Sequence, residues 1–401
     1  MVKQQLFLIL LVLSIASCSK DEIQEQIQFD NTINQPQEPL DNSTEENEEE
    51  LEFSSTQKTS NWISNMQDEN GLLESSENTD FVSLYDNALA TLVFIQEGKL
   101  DKAEHILDFF HAKIESELNT NSGGFYQFRN GAGENGSRTW MGDNAWLLIA
   151  INHYHEASGN QKYVAMDIAL TNWLRSLQDT DGGLKGGFNE DGTEIPKVTE
   201  GILTAFNAVK GYDDFHKNIL LYLKTARWNS EENILIAWPE NSSYNYALDL
   251  HSLSYGILEN FPETTLEMAN RYKNTQIATV TGNELTGYCF DDDKDVIWLE
   301  GTAQMSVAYK HAGNILKANE LLLELEKTFI SSTLTSGAAG LPYTSNPGTT
   351  FGSNLLWDHA DITPALSSTA WYLFAKQGYN PFELGKAKNI PEADKFWLGE
   401  I

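Results

Sequence analysis

The run TWMGDNAWLLIAINHY, Thr139 to Tyr154, sets a Gly-Asp-Asn break directly in front of a tryptophan-bearing apolar segment. Similar breaks recur: SLYDNALATLVFI begins at Ser83, TEGILTAFNAV at Thr199 and WLEGTAQMSVAYK at Trp298. Together with SSTAWYLFA from Ser367, these segments are apolar or small all round, the pattern of a helix buried on every side. Between them lie charged, amphipathic segments such as LDKAEHILDFFHAKIESEL from Leu100 and ILKANELLLELEKTF from Ile315, suited to an outer layer. Helices are expected near 57–66, 82–96, 100–116, 141–157, 160–178, 197–209, 213–228, 246–258, 262–272, 297–312, 315–330 and 362–377.

The buried kind starts about every 49–65 residues, with short connections after it and long, Gly-rich loops before most copies. Six inner and six outer helices in alternation predict an all-α fold, an (α/α)6 toroid of about twelve helices in two rings. A tetratricopeptide-type superhelix would show repeats nearer ~34 residues and short loops. In a toroid the inner helices run parallel, so their amino ends open on one rim. The residues at those starts are Asp86, Asp143 with Asn144, Glu200, Asp249 with His251, Glu300, and Asp358 and His359 with Asp361. Six scattered positions thereby become neighbours around one cleft.

Carboxylates at helix starts also cap free N–H groups and suit the helix dipole, each by roughly 0.5–2 kcal/mol. Ser83-Leu-Tyr-Asp86 itself has the form of a capping box. Capping does not account for the aromatic company, because Tyr85, Trp140, Trp146, Trp298 and Trp357 all lie within three residues of a rim acid. Aromatic faces beside polar groups hold sugar rings, the CH faces stacking while hydroxyls bond to acids and amides. Tyr85, Trp140, Asn144, Glu200, Asp249, His251, Trp298, Trp357, Asp358 and His359 are therefore candidate sugar-binding residues. Core packing is the competing expectation for Trp146 and Trp371.

The segment GDNAWLLIAINHYHEASGNQKYVAMDIALTNWL resembles the Asp-Asp-Asn-Ala-Trp helix of endo-α-1,6-mannanase-type six-hairpin glycosidases. WLEGTAQMSVAYKHAG and SSTAWYLFAKQGYNPF resemble an uncharacterised branch of the same superfamily. The likeness covers some fifty residues well and the rest loosely. It implies an (α/α)6 glycosidase and carries over Asp143, but the mannanase pattern has two adjacent aspartates and this chain has Gly142 before Asp143. The paired acid has to come from another rim position. Glycoside hydrolysis needs one protonated and one ionised carboxyl across the scissile bond. Asp143 and Glu300 are the first candidates for that catalytic pair, and Asp86 the next.

A formal net charge of -32 over 401 residues argues against nucleic acid as a partner, since phosphate binding needs clustered Lys and Arg. Basic MVK followed by the short apolar LILLVLSIASC has the form of a signal peptide over 1–17 and is too short for a spanning helix. Ile15-Ala-Ser-Cys18 resembles the lipobox of bacterial lipoproteins, and SKDE the export signal of Bacteroidetes surface lipoproteins. The resemblance implies lipidation at Cys18 and an extracytoplasmic, outer-membrane location. The stretch 18–55 is rich in Gln, Asn, Glu and Asp, carries roughly a third of the net charge, and reads as a disordered acidic tether before a toroid over 56–401. Cys289 is left without a partner for a disulfide.

Other chemistries leave weaker traces. His251 and His359, with Arg129 or Arg138 as charge neutraliser, are the elements a polysaccharide lyase would need. Asp291-Asp-Asp293-Lys-Asp295 resembles the opening of a calcium loop but lacks its glycine and distal glutamate. No phosphate loop, dinucleotide fingerprint or zinc-spaced Cys/His set is present, so neither cofactor nor metal is expected, and the chain is expected to act as a monomer. A glycan-binding lipoprotein without catalysis would share the tryptophans and the polar rim but not a matched acid pair. A terpenoid-cyclase-like toroid would need Asp-rich motifs that are not evident.

Overall fold

Every helix expected from periodicity is present. The computed structural model describes residues 53–240, 242–357 and 360–399. Its main helices are α1 Ser55–Asn65, α2 Leu84–Gln96, α3 Leu100–His111, α4 Met141–Ser158, α5 Val164–Ser176, α6 Thr199–Ala208, α7 Asp214–Tyr222, α8 Asp249–Ile257, α9 Thr264–Met268, α10 Leu299–His311, α11 Ile315–Glu326 and α12 Leu366–Gln377. The even-numbered helices touch in order, α2 to α4 to α6 to α8 to α10 to α12, and α12 returns to α2, so the inner ring closes. Outside it α3 packs on α2, α5 on α4, α7 on α6, α9 on α8, α11 on α10 and α1 on α12. Closure settles the choice against an open superhelix.

The two rings differ as their sequences require. Between Met141 and Tyr154 in α4 only His153 is not fully buried, whereas α3 buries only Ala103, Ile106, Leu107 and Phe110, one stripe at helical spacing. Three outer helices are shorter than expected. α3 gives way to a π-helical turn over Ile114–Leu118, α7 to another over Leu223–Arg227, and α9 to a 3-10 turn over Ala269–Tyr272.

The loops carry strands that the sequence did not announce. A five-stranded antiparallel sheet runs β1 Val82–Ser83, β2 Tyr126–Arg129, β3 Ser137–Trp140, β4 Gly187–Phe188, β5 Glu194–Ile195. Two to four residues are too few to show an alternating pattern. β1 leads into α2 and β3 into α4, so the sheet fixes where those helices begin.

The opposite, carboxyl end of the ring is closed by the segment after α12. Phe382, 2% exposed, sits with its ring 4.9 Å from Trp146 and 6.1 Å from Trp371. Asn207 donates to the Phe382 carbonyl at 3.0 Å, and Lys388 donates to the carbonyls of Asn207 and Val209 at 3.2 and 2.7 Å. No helix among the described residues is long and apolar enough to cross a membrane. The expected signal segment, Cys18 and nearly all of the acidic tether lie outside the described residues. α1 starts at Ser55, next to the expected start of the toroid, with Ser54 capping it.

Candidate active site

Five inner helices each place a carboxyl in their first turn: Asp86 on α2, Asp143 on α4, Glu200 on α6, Asp249 on α8 and Glu300 on α10. They form one circuit of mutual repulsion. Asp143 feels Glu200 and Asp86, Asp249 feels Glu200 and Glu300, and Glu300 feels Asp86. The amino ends of the inner ring therefore do meet at one mouth. The sixth position differs from expectation. α12 starts at Leu366 with no acid in its first turn, and the residue it sends to the ring is Ser367, which donates to Glu300 Oε2 at 2.7 Å. Asp361 is buried upstream of α12, and Asp358 and His359 lie outside the described residues. Trp357 ends a strand, Asn354–Trp357.

The five carboxyls are not equivalent. Asp86, 2% exposed, accepts from Tyr343 Oη at 3.0 Å, and burial pushes it up to about 6 against that bond and one from Ser75. Glu300, 4% exposed, accepts from Tyr85 Oη at 2.6 Å, from Gln304 at 3.1 Å and from Ser367; burial still pushes it up to about 7. Tyr85 in turn accepts from Trp371 Nε1 at 2.8 Å. Both oxygens of Glu300 and one of Asp86 are thus engaged.

Asp143 is different. Burial and then the Glu200 charge push it up to about 8, partly offset by Arg138 and a bond from Gln127. Its Oδ2 is buried with no hydrogen-bond partner among the described residues. Arg138 Nε donates to Gln127 Oε1 at 2.5 Å, so these facing residues of the β2–β3 hairpin are tied to each other while both act on Asp143. Asp249 is half-buried; burial and then Glu200 push it up to about 8, and its Oδ1 is likewise without a described partner. Glu200, also half-buried, is raised by burial against bonds from Thr204 and Trp146.

Three candidate ligand residues are placed elsewhere. His251 is turned away from the ring: Nδ1 lies 2.8 Å from the Thr265 carbonyl, Nε2 lies 3.2 Å from Tyr272 Oη, and burial pulls the imidazole down to about 4. Two residues along a helix is a rotation of about 200°, so Asp249 and His251 face opposite sides. Asn144 clamps backbone, accepting from Phe125 N at 2.8 Å and donating to the carbonyls of Phe125 and Trp140. Trp298 is 4% exposed and packs on Phe290 at 5.0 Å, a core residue rather than a sugar platform. Trp146, 2% exposed, does pack in the core as its competing expectation held, yet its indole N–H reaches Glu200.

Tyr85 and Trp140 remain at the mouth, both partly exposed, with the Arg138 guanidinium 5.0 Å from the Trp140 ring centre. Of the lyase elements, Arg129 is buried in a two-bond pair with Glu117 at 3.1 and 3.0 Å and His251 faces the outer layer, whereas Arg138 stands beside Asp143 and His359 lies outside the described residues. The Asp291–Asp295 run ties down a loop instead: Asp291 accepts from the Gly352 N–H at 3.1 Å and Asp295 from the Thr350 N–H at 2.6 Å. Gln127, Gln304, Tyr343 and Ser367 are not singled out by the sequence, and Arg138 only as a charge neutraliser. None follows a Gly-Asp or Gly-Glu break: Gln304 reaches Glu300 one turn along α10, Gln127 and Arg138 act on Asp143 from the β2–β3 hairpin, Tyr343 reaches Asp86 from a loop, and ring closure brings Ser367 to Glu300.

No family model matches the chain, and no curated protein matches it. Solved structures do. An α-amylase from Clostridium perfringens aligns with a TM-score of 0.58 at 13% identity, covering 81% of this chain and 97% of that one. A sugar epimerase from a ruminal bacterium aligns at 0.57 and 14% identity over 81% and 97%. A glycosidase in complex with glucose aligns at 0.53 and 13% identity over 80% and 95%. At these identities the likeness establishes the shared toroidal fold.

Proposed function

We propose that this chain is a glycoside hydrolase acting on an oligo- or polysaccharide, and that it is held on a bacterial outer membrane through a lipidated Cys18. The observation that carries the first part is the condition of Asp143. It stands in the mouth of a closed helical ring, its proton affinity is raised to about 8, and one buried oxygen has no hydrogen-bond partner among the described residues. Those are the requirements of a general acid that protonates a glycosidic oxygen. The half-buried Tyr85 and Trp140 beside it supply faces for a sugar ring. Among solved structures, the fold is shared with proteins described as glycosidase, α-amylase, sugar epimerase and mannose isomerase, which supports a sugar as the ligand.

The candidate catalytic acids within this mouth divide by environment. Asp143 serves as proton donor beside the charges of Glu200 and Asp86, while Glu300 is held by Tyr85, Ser367 and Gln304.

The test is release of new reducing ends from a panel of purified glycans, with product size and sugar identity read by chromatography. Cleavage that falls by roughly 10²–10⁴ in Asp143→Asn is the expected result. Its rate should fall as pH rises through about 8, where Asp143 gives up its proton. Tight binding with no new reducing ends would make the protein a glycan binder, and an isomerised sugar of unchanged length would make it an isomerase. Full activity in both Asp143→Asn and Glu300→Gln would remove the assignment of the acids.

A further inference from the structure

Gly142 and Gly201 let α4 and α6 meet at their amino ends with almost nothing between them. A Cβ built on Gly142 would stand 3.0 Å from Glu200 Oε2, 3.3 Å from Trp140 Nε1 and 3.4 Å from Gly201 Cα. A Cβ on Gly201 would stand 2.9 Å from Met141 Cε and 3.3 Å from Gly142 Cα. The carboxyl of Glu200 therefore lies against the space that a side chain at 142 would use, next to Asp143. It is held there by Thr204 Oγ1, which donates to Oε1 at 3.0 Å, and by the indole of Trp146.

We propose that Glu200 is the charge-bearing carboxylate of the reaction, supplied from α6 across the gap that Gly142 leaves on α4, and that it works beside Asp143. This rests on the glycosidase reading of the mouth. Among the five acids Glu200 has the right surroundings. Asp86 and Glu300 are nearly sealed, with exposures of 2% and 4%, and engaged by tyrosine and serine hydroxyls. Glu200 is half-open and stands between Asp143 and Asp249, and for each of these it is the foremost charge felt. A negative charge on the middle member holds protons on its two neighbours.

The chemistry balances on these two groups. The glycosidic C–O bond breaks with its electron pair leaving on the departing oxygen, which takes the proton of Asp143. The positive charge that develops on the sugar ring is stabilised by Glu200. The oxygen of a water molecule then bonds to the anomeric carbon, and the proton it loses restores Asp143.

Three variants of the full chain test this: Glu200→Gln, Glu200→Ala, and Glu200→Ala combined with Gly142→Asp. Turnover of a cleaved glycan should fall by roughly a hundredfold or more in Glu200→Gln with KM little changed. Added formate should recover roughly tenfold in Glu200→Ala, and an aspartate at 142 should recover a similar amount by returning a carboxylate to the same space. A second readout needs no substrate: the carboxyl titration of Asp143, followed by infrared difference spectroscopy against Asp143→Asn, should move down by about one pH unit or more in Glu200→Gln. Turnover within about fivefold of the unaltered protein in Glu200→Gln, or an unmoved Asp143 titration in a variant that melts normally, would overturn the assignment. Should the unaltered protein cleave no glycan, the glycosidase reading fails by itself, and the titration alone still decides whether Glu200 carries the charge beside Asp143.

Discussion

A carboxyl kept protonated by burial weakens the fold that keeps it so. Asp143 is raised from an ordinary aspartate value to about 8, first by burial and then by Glu200. The folded protein thus holds a proton that the unfolded chain releases near pH 4. The sign follows: the folded state is fully favoured by this group below about pH 4, and that contribution is lost as pH rises through about 8. Asp143→Asn removes the titration. The variant should be more stable than the parent at pH 8, by up to ~5 kcal/mol in chemical denaturation, with the gain shrinking toward pH 4. An equal or lower stability at pH 8 would show that Asp143 is not held protonated. The same residues show how far single positions are legible. Asp86, Asp143, Glu200, Asp249 and Glu300 could be found because each follows a break and opens an apolar helix. The direction of a side chain one or two residues farther on could not. Asn144 and His251 follow acids that face the ring, but helical rotation turns one to the backbone and the other to the outer layer.

At the scale of elements, the inner helices were readable because being buried on every side leaves a sequence with no polar face, and the outer helices because they have one. Where they end was less readable, since the π and 3-10 turns after α3, α7 and α9 continue the same amphipathic sequence. The short strands at the mouth were not readable at all, and with them went the Gln127–Arg138 pair beside Asp143. A helix contact can also depend on what is missing from it. Gly201 is the place where α6 approaches α4, and an added methyl group meets both the Met141 side chain and the Gly142 backbone. Met141 can move, but the backbone cannot without parting the helices. Gly201→Ala should therefore cost about 1–3 kcal/mol in stability despite alanine's better helix propensity. It should also lower turnover while leaving all five rim carboxyls in the chain. A variant as stable as the parent would mean that the two helices do not rely on this approach.

At the scale of the whole molecule, ring closure does what no local feature can, bringing Tyr85 of α2 and Ser367 of α12 to the same carboxyl of α10 across 215 and 67 residues of sequence. Fold class was legible because the count and alternation of helices leave few ways to bury six apolar segments at once. The proposed outer-membrane location rests on a part of the chain outside the described residues. A short apolar run ending at Cys18, followed by an acidic Gln- and Asn-rich stretch, suits a lipid anchor at one end of a tether and an enzyme at the other. One acyl chain binds a bilayer only reversibly, whereas two or more hold it stably. Cys18→Ala should move the protein from the membrane pellet to the soluble fraction and abolish incorporation of labelled palmitate. Its kcat/KM on a small soluble substrate should not change, because the mouth is built wholly from residues beyond Ser75. Activity on an insoluble or cell-bound glycan should then differ between anchored and released forms only through access. A soluble parent protein, or a Cys18→Ala variant that stays with the membrane, would refute the anchor while leaving the acid ring and its chemistry as they stand.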